Sequence, residues 1–251
     1  MMVIIRKILI FCTIAAISGG VYAQRKVTFT TPDGLIVTAD LYRLDKSAPY
    51  IILLHRENSS RGEYRDIAPK LQKIGFNCLA VDLRYGKESN FVRNETVAQA
   101  QQKGVPATMQ DCEKDIRAAI DYIIKISVTK RCILMGSAFS ASLAMKVANR
   151  HPQVMAVAAF SPGEYFDNPN EVKNGLTDFD RMLWVATTRH ENPFVADMLQ
   201  HIPEDLLTLF QPASGNGLQG APALWDEDAE SNEYWMSLML FLNKVKETHF
   251  L

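Results

Sequence analysis

The sequence predicts an α/β domain: a mostly parallel sheet with an N-terminal antiparallel hairpin and helices on both faces. Three observations point there. Short, continuously apolar runs such as Tyr50–Leu54 and Phe76–Val81 have the pattern of strands buried on both faces. They alternate with segments of helical spacing, such as Asp115–Ile126, where Ile116, Ala119, Ile120, Ile123 and Ile124 share one side. The chain of 251 residues, 47% hydrophobic and 22% charged, also suffices for one sizeable core but not for several domains.

Each element follows in order. Lys26–Thr31 and Leu35–Leu44 alternate apolar and polar residues around the turn triplet Pro32-Asp33-Gly34 and read as the hairpin. Tyr50–Leu54 is a buried strand, residues 63–74 carry helical spacing that Gly75 stops, and Phe76–Val81 is the next strand. Residues 83–107 are polar, lack strong periodicity and read as an excursion over one face. Asp115–Ile126 resumes helix, Cys132–Met135 is strand, Ala141–Asn149 helix and Val154–Phe160 strand. Met182–Ala186, Phe194–His201 and Leu206–Phe210 continue the alternation, and a last helix covers Glu233–Lys246.

Composition excludes several function classes. The 27 Lys and Arg residues against 28 Asp and Glu give a net charge of −1, without the basic excess of a general nucleic-acid binder. Hydrophobic content is too high for a disordered chain. At the N-terminus, Arg6 and Lys7 precede the apolar run Ile8–Ile17, and Val21-Tyr22-Ala23 places small residues before a cut at Gln24. This is the order of a secretory signal peptide over residues 1–23. The run is shorter than the roughly 20 residues a membrane-spanning helix needs. The expected mature protein, residues 24–251, is one domain, periplasmic or secreted, and not held in a membrane.

Cys78, Cys112 and Cys132 remain in that mature chain; no CxxC pair occurs, and the five histidines (55, 151, 190, 201 and 249) lack metal-ligand spacing. Neither a disulfide scaffold nor a metal site is expected, and no cofactor is implied. In open parallel sheets, ligands bind beyond the carboxyl ends of the strands. That rule singles out His55, Asp82, Gly136–Ser140, Ser161–Tyr165, Thr188–Glu191 and Gln211–Trp225.

Within those loops, Ile133-Leu134-Met135-Gly136-Ser137-Ala138-Phe139-Ser140 runs from a strand straight into a helix. With His55 closing one strand, Asp82-Leu83-Arg84 closing the next and Gly220…Leu224-Trp225 near the end, the chain resembles the α/β-hydrolase family, and its dienelactone-hydrolase-like branch most closely. The family's elbow reads G-x-S-x-G, with the nucleophile on a strained turn above the sheet. Here the matching window is Gly136-Ser137-Ala138-Phe139-Ser140, so the nucleophile slot holds Ala138. The resemblance places the acid slot on Glu191 and the base slot, His-Gly in the family, on Gln219-Gly220. A methyl group cannot attack a carbonyl, and an amide has no basic nitrogen to take a proton.

The resemblance further implies an oxyanion hole from backbone N–H groups near Arg56 or Glu57 and at Phe139, supported by His55. Arg84, Glu164, Tyr165 and Trp225 are the expected pocket lining. The leading expectation is an exported hydrolase-fold protein without serine-hydrolase activity that binds a small acyl-type or carboxylate ligand, or a partner. The alternative is a weak carboxylic-ester hydrolase using Ser137 or Ser140 with His190.

Overall fold

The computed structural model describes residues 24–213, 215–225 and 230–250; the signal peptide read over residues 1–23 lies outside them. Eight strands form one sheet: β1 (Gln24–Thr30), β2 (Ile36–Tyr42), β3 (Tyr50–Leu54), β4 (Asn77–Val81), β5 (Cys132–Ser137), β6 (Val154–Phe160), β7 (Met182–Ala186) and β8 (Leu207–Phe210). Their spatial order is β1-β2-β4-β3-β5-β6-β7-β8. The β1–β2 and β2–β4 pairs are antiparallel, and every pair from β4–β3 onward is parallel.

The buried strands separate two cores by simple alternation. Tyr50, Ile52 and Leu54 of β3 join one apolar cluster, while Ile51 and Leu53 join the other. The first cluster is closed by α3 (Cys112–Ile126), α4 (Phe139–Ala148) and α6 (Asn192–Met198). The second is closed by α1 (Ala68–Lys73) and α7 (Ser231–His249), through Leu71, Tyr234, Leu238, Phe241 and Leu242. Among the described residues no helix is long and apolar enough to cross a membrane.

Two segments differ from the expectation. The predicted helix over 63–74 is a 3₁₀ turn at Arg61–Tyr64 followed by α1, with Pro69 in its first turn. Proline has no N–H to donate back along a helix, so the chain restarts there instead of continuing. The polar excursion over 83–107 contains α2 (Glu95–Lys103), capped by the Asn94 side chain, which accepts from the Val97 N–H at 2.9 Å, and ended by Gly104 at φ 64°. Its inward face consists of Thr96 and Ala100, and the Thr96 hydroxyl accepts from the Thr38 N–H of β2 at 3.0 Å. A face so small and polar leaves no apolar period to read. A short α5 (Glu171–Gly175), also unanticipated, packs beside α4.

The loop after β4 carries Arg84, whose side chain is fully buried, in contrast to its expected place lining a pocket. Its guanidinium donates to Asp115 Oδ1 at 2.8 Å and to Asp33 Oδ2 at 2.7 Å, tying the hairpin turn to α3. Burial makes a guanidinium costly unless carboxylates surround it, and that need draws Arg84 inward. Arg84→Met is predicted to lower the unfolding free energy by about 3–5 kcal/mol, because Asp115 is left buried and unpaired. The double variant Arg84→Met, Asp115→Leu recovers most of that loss. Urea midpoints of the two decide it: equal losses would mean that packing, not charge, sets the cost.

Candidate active-site cleft

The turn from β5 into α4 has the geometry that a nucleophile elbow requires. Ala138 sits at φ 54° and ψ −122°, a conformation costly for any residue with a Cβ. Its N–H donates to the Phe160 carbonyl at 2.8 Å, and its carbonyl accepts from the Ala141 N–H at 2.9 Å. Gly136 permits the close crossing of strand and helix, since a Cβ there would lie 2.5 Å from Ala141 Cα and 2.6 Å from the Ser140 carbonyl oxygen.

The two flanking serines are enclosed within the turn. Ser140 donates to the Leu54 carbonyl at 2.8 Å and accepts from the Ser137 N–H at 3.0 Å, so it fastens α4 to the end of β3. The Ser137 hydroxyl accepts from the Ala221 N–H at 2.9 Å and lies near the Glu63 carboxylate. Both side chains are fully buried. Neither hydroxyl is presented to solvent or to the cavity described below.

Backbone contacts bring the base-slot loop to the elbow and to the acid-slot turn. Gly220, at φ 78°, donates to Ser161 Oγ at 3.1 Å, and a Cβ on it would meet Ser137 Oγ at 2.6 Å. Only glycine satisfies both constraints. The Asn216 carbonyl accepts from the Arg189 N–H at 2.8 Å. Glu191 accepts from the Thr188 N–H at 2.9 Å while its own N–H donates to the Thr188 hydroxyl at 3.2 Å, a reciprocal cap leading into α6.

These loops enclose a cavity of about 800 Å³ at the carboxyl ends of β6 and β7. Glu164, Tyr165, His190, Glu191 and Gln219 all contribute to its wall, so the acid slot, the base slot and two of the expected lining residues share one space. The wall also takes Lys173 from α5 and Phe194, Asp197 and Met198 from α6, none of which the sequence singled out for a site. α5 carries no strong pattern, and the apolar residues of α6 read simply as core. The Tyr165 hydroxyl donates to the Ser161 carbonyl at 3.0 Å and lies near the Gln219 side chain. Burial first, then the nearby carboxylates of Glu191 and Glu57, push its pKa up to about 12, so it stays protonated.

Other expected residues stand elsewhere. Trp225 packs on the second core and donates from Nε1 to the Glu63 carbonyl at 3.1 Å, away from the cavity wall. The Arg56 N–H, a candidate oxyanion donor, is taken by Glu63 Oε2 at 3.2 Å. The Phe139 N–H remains among the first-turn donors that a helix leaves without an intrahelical acceptor. Phe139 itself is buried with its ring edge-on to Tyr85. Glu57 follows on the loop after β3 with one buried carboxylate oxygen, Oε2, that has no hydrogen-bond partner among the described residues. No local pattern points to Glu63, a fully buried carboxylate whose pKa burial raises and which holds the Arg56 loop through Oε2.

His55 is a fastener beneath this loop. Nδ1 donates to the Arg56 carbonyl at 2.8 Å, and Nε2 accepts from the Leu83 N–H at 2.9 Å, which fixes a neutral tautomer. Desolvation lowers its pKa to about 4 from the ordinary 6.5. Between those values the unfolded chain binds the extra proton, so this contribution to stability is complete above the upper value and is lost as pH falls toward the lower one. Its full size is about 3 kcal/mol. His55→Gln is predicted to flatten the stability curve from about pH 7 to about pH 4 relative to the parent chain. Parallel curves in urea titrations would show that His55 carries none of the pH dependence.

Residues 45–204 match the family model described as serine aminopeptidase, S33. No curated protein matches the chain. Among solved structures, an esterase from Pyrococcus furiosus superposes with a TM-score of 0.65 at 18% identity, covering 89% of this chain and 93% of that one. Dienelactone hydrolase from Anabaena variabilis gives a TM-score of 0.66 at 14% identity, with 88% and 97% covered. A hyperthermophilic esterase from the archaeon Pyrobaculum calidifontis gives 0.63 at 12% identity, with 92% and 85% covered. At such identities the structural likeness is one of fold. The match over residues 45–204, more than half of the chain, makes it a member of the serine aminopeptidase (S33) family of α/β hydrolases, with dienelactone-hydrolase-like architecture.

Proposed function

We propose that this chain is an exported α/β-hydrolase-fold protein that has lost serine-hydrolase activity and uses its inherited cleft to bind a small ligand. The single observation that carries the reading is Ala138, a methyl group on a complete elbow. Acyl transfer by a serine hydrolase needs an oxygen nucleophile there and a base beside it. Gln219, at the base slot, offers an amide, which has no basic nitrogen to take a proton. Removing either member of such a pair eliminates most of the rate, and removing the second adds little.

The rearranged-esterase alternative draws no support from the geometry. Ser137 and Ser140 are buried and hydrogen-bonded, while His190 is exposed and stacks edge-on against Phe194. The cavity, about 800 Å³, lies within the roughly 300–1,000 Å³ range of small-molecule sites, which supports the binding reading. Export rests on the charged, apolar and small-residue order of residues 1–23.

Three measurements test the proposal. A fluorophosphonate probe is expected to leave the purified mature protein unlabelled; a covalent adduct on Ser137 or Ser140 would overturn it. The double variant Ala138→Ser, Gln219→His is expected to hydrolyse p-nitrophenyl acetate at least about tenfold faster than the parent, since nucleophile and base act as a unit. A folded but inert double variant would mean that the slots are misassigned. Expressed with its N-terminal segment, the protein is expected outside the cytoplasm with Gln24 as its first residue. An intact Met1 on cytoplasmic protein would refute export.

A further inference from the structure

The cleft wall carries an unbalanced charge. Glu164, Glu191 and Asp197 face it, and Lys173 is the single Lys or Arg among its described residues. Lys173 Nζ lies 2.8 Å from Asp197 Oδ2, so the one cation is already paired and two carboxylates remain in excess. Glu164 and Glu191 are held in place by backbone N–H groups, the former by Val172 and Lys173 at 2.8 Å each. These bonds fix the carboxylates without neutralising them.

A further feature shares the region. Phe194, on the wall, is 70% exposed, a large apolar surface left uncovered beside Met198 and Pro193. Tyr165 and Phe194 both contribute aromatic rings to the lining, and aromatic faces attract cations and repel anions.

We infer that the cleft selects an organic ammonium ligand, a primary amine with an apolar body, the charged head toward Glu164, Glu191 and the Gln219 side chain and the body against Phe194 and Met198. The inference rests on the reading of the cleft as a binding site and reverses the sign of the carboxylate ligand that the sequence suggested. An anion entering this space meets two excess carboxylates and finds only a lysine already in an ion pair.

Benzylamine, benzyl alcohol and benzoate form a series of similar shape and opposite charge. Titrated into the mature protein at neutral pH and low ionic strength, with binding followed by NMR, benzylammonium should bind at least about tenfold more tightly than benzoate and more tightly than the alcohol. Glu164→Gln should weaken benzylammonium binding several-fold while leaving benzyl alcohol unaffected. Phe194→Lys, at an exposed position where folding is not at stake, should remove the preference for the amine and admit benzoate. Binding of benzoate or benzyl alcohol equal to or tighter than that of the amine would overturn the ammonium inference and leave the binding cleft standing. Binding of none of the three would overturn both.

Discussion

The turn at Ala138 is the constraint on which the rest of the cleft depends. A residue with a Cβ held at φ 54° and ψ −122° costs about 1–3 kcal/mol, and alanine gains nothing chemical in return. The conformation persists because β5 and α4 leave no other path. All ten residues of α4 are buried, between β5, β6 and α3. Only an abrupt reversal at residue 138 lets the helix lie back against the strand it follows. Gly136 opens the crossing, and the Ser140 hydroxyl locks it to Leu54 of β3. The same geometry that exposes a nucleophile in a working hydrolase is thus a packing requirement of this one.

From that turn the site is assembled by contacts distant in sequence. Ser137 receives the Ala221 N–H, which seats Gly220 and with it Gln219. Glu63 accepts the Arg56 N–H and lies near Ser137, while His55 holds the Arg56 loop to Leu83. The acid-slot turn is closed on itself by the Thr188–Glu191 pair and joined to the base-slot loop through Arg189 and Asn216. A framework of backbone donors and buried side chains therefore preserves the shape of the cleft, whatever residues stand at its chemical positions.

Much of this was legible in the order of residues, and the exceptions have definite causes. The parallel strands declared themselves as short apolar runs, and α3 through its isoleucine face. α2 escaped notice because Thr96 and Ala100 bury a small face, through a hydroxyl and a methyl instead of an apolar stripe. The helix over 63–74 was interrupted by Pro69, whose effect on the preceding turn outweighs the spacing of Ile67, Leu71 and Ile74. Arg84 and Trp225 were placed in the right loops but pointed the wrong way. Position at a strand end says which region a residue occupies, whereas the side-chain direction depends on partners such as Asp115, 31 residues away, or the Glu63 carbonyl, 162 away.

The sequence by itself determined the alternation of strand and helix, the hairpin at the edge, and the residue types at the elbow and its partner loop, Ala138 and Gln219, since these depend on residue type and local period alone. The tertiary structure decided which side chains converge. It enclosed Ser137 and Ser140, drew Arg84 into a buried ion cluster and gathered Glu164, Glu191 and Asp197 around one cavity. The physical reason is that desolvation and pairing act between groups brought together only when the sheet closes, and no local pattern encodes them.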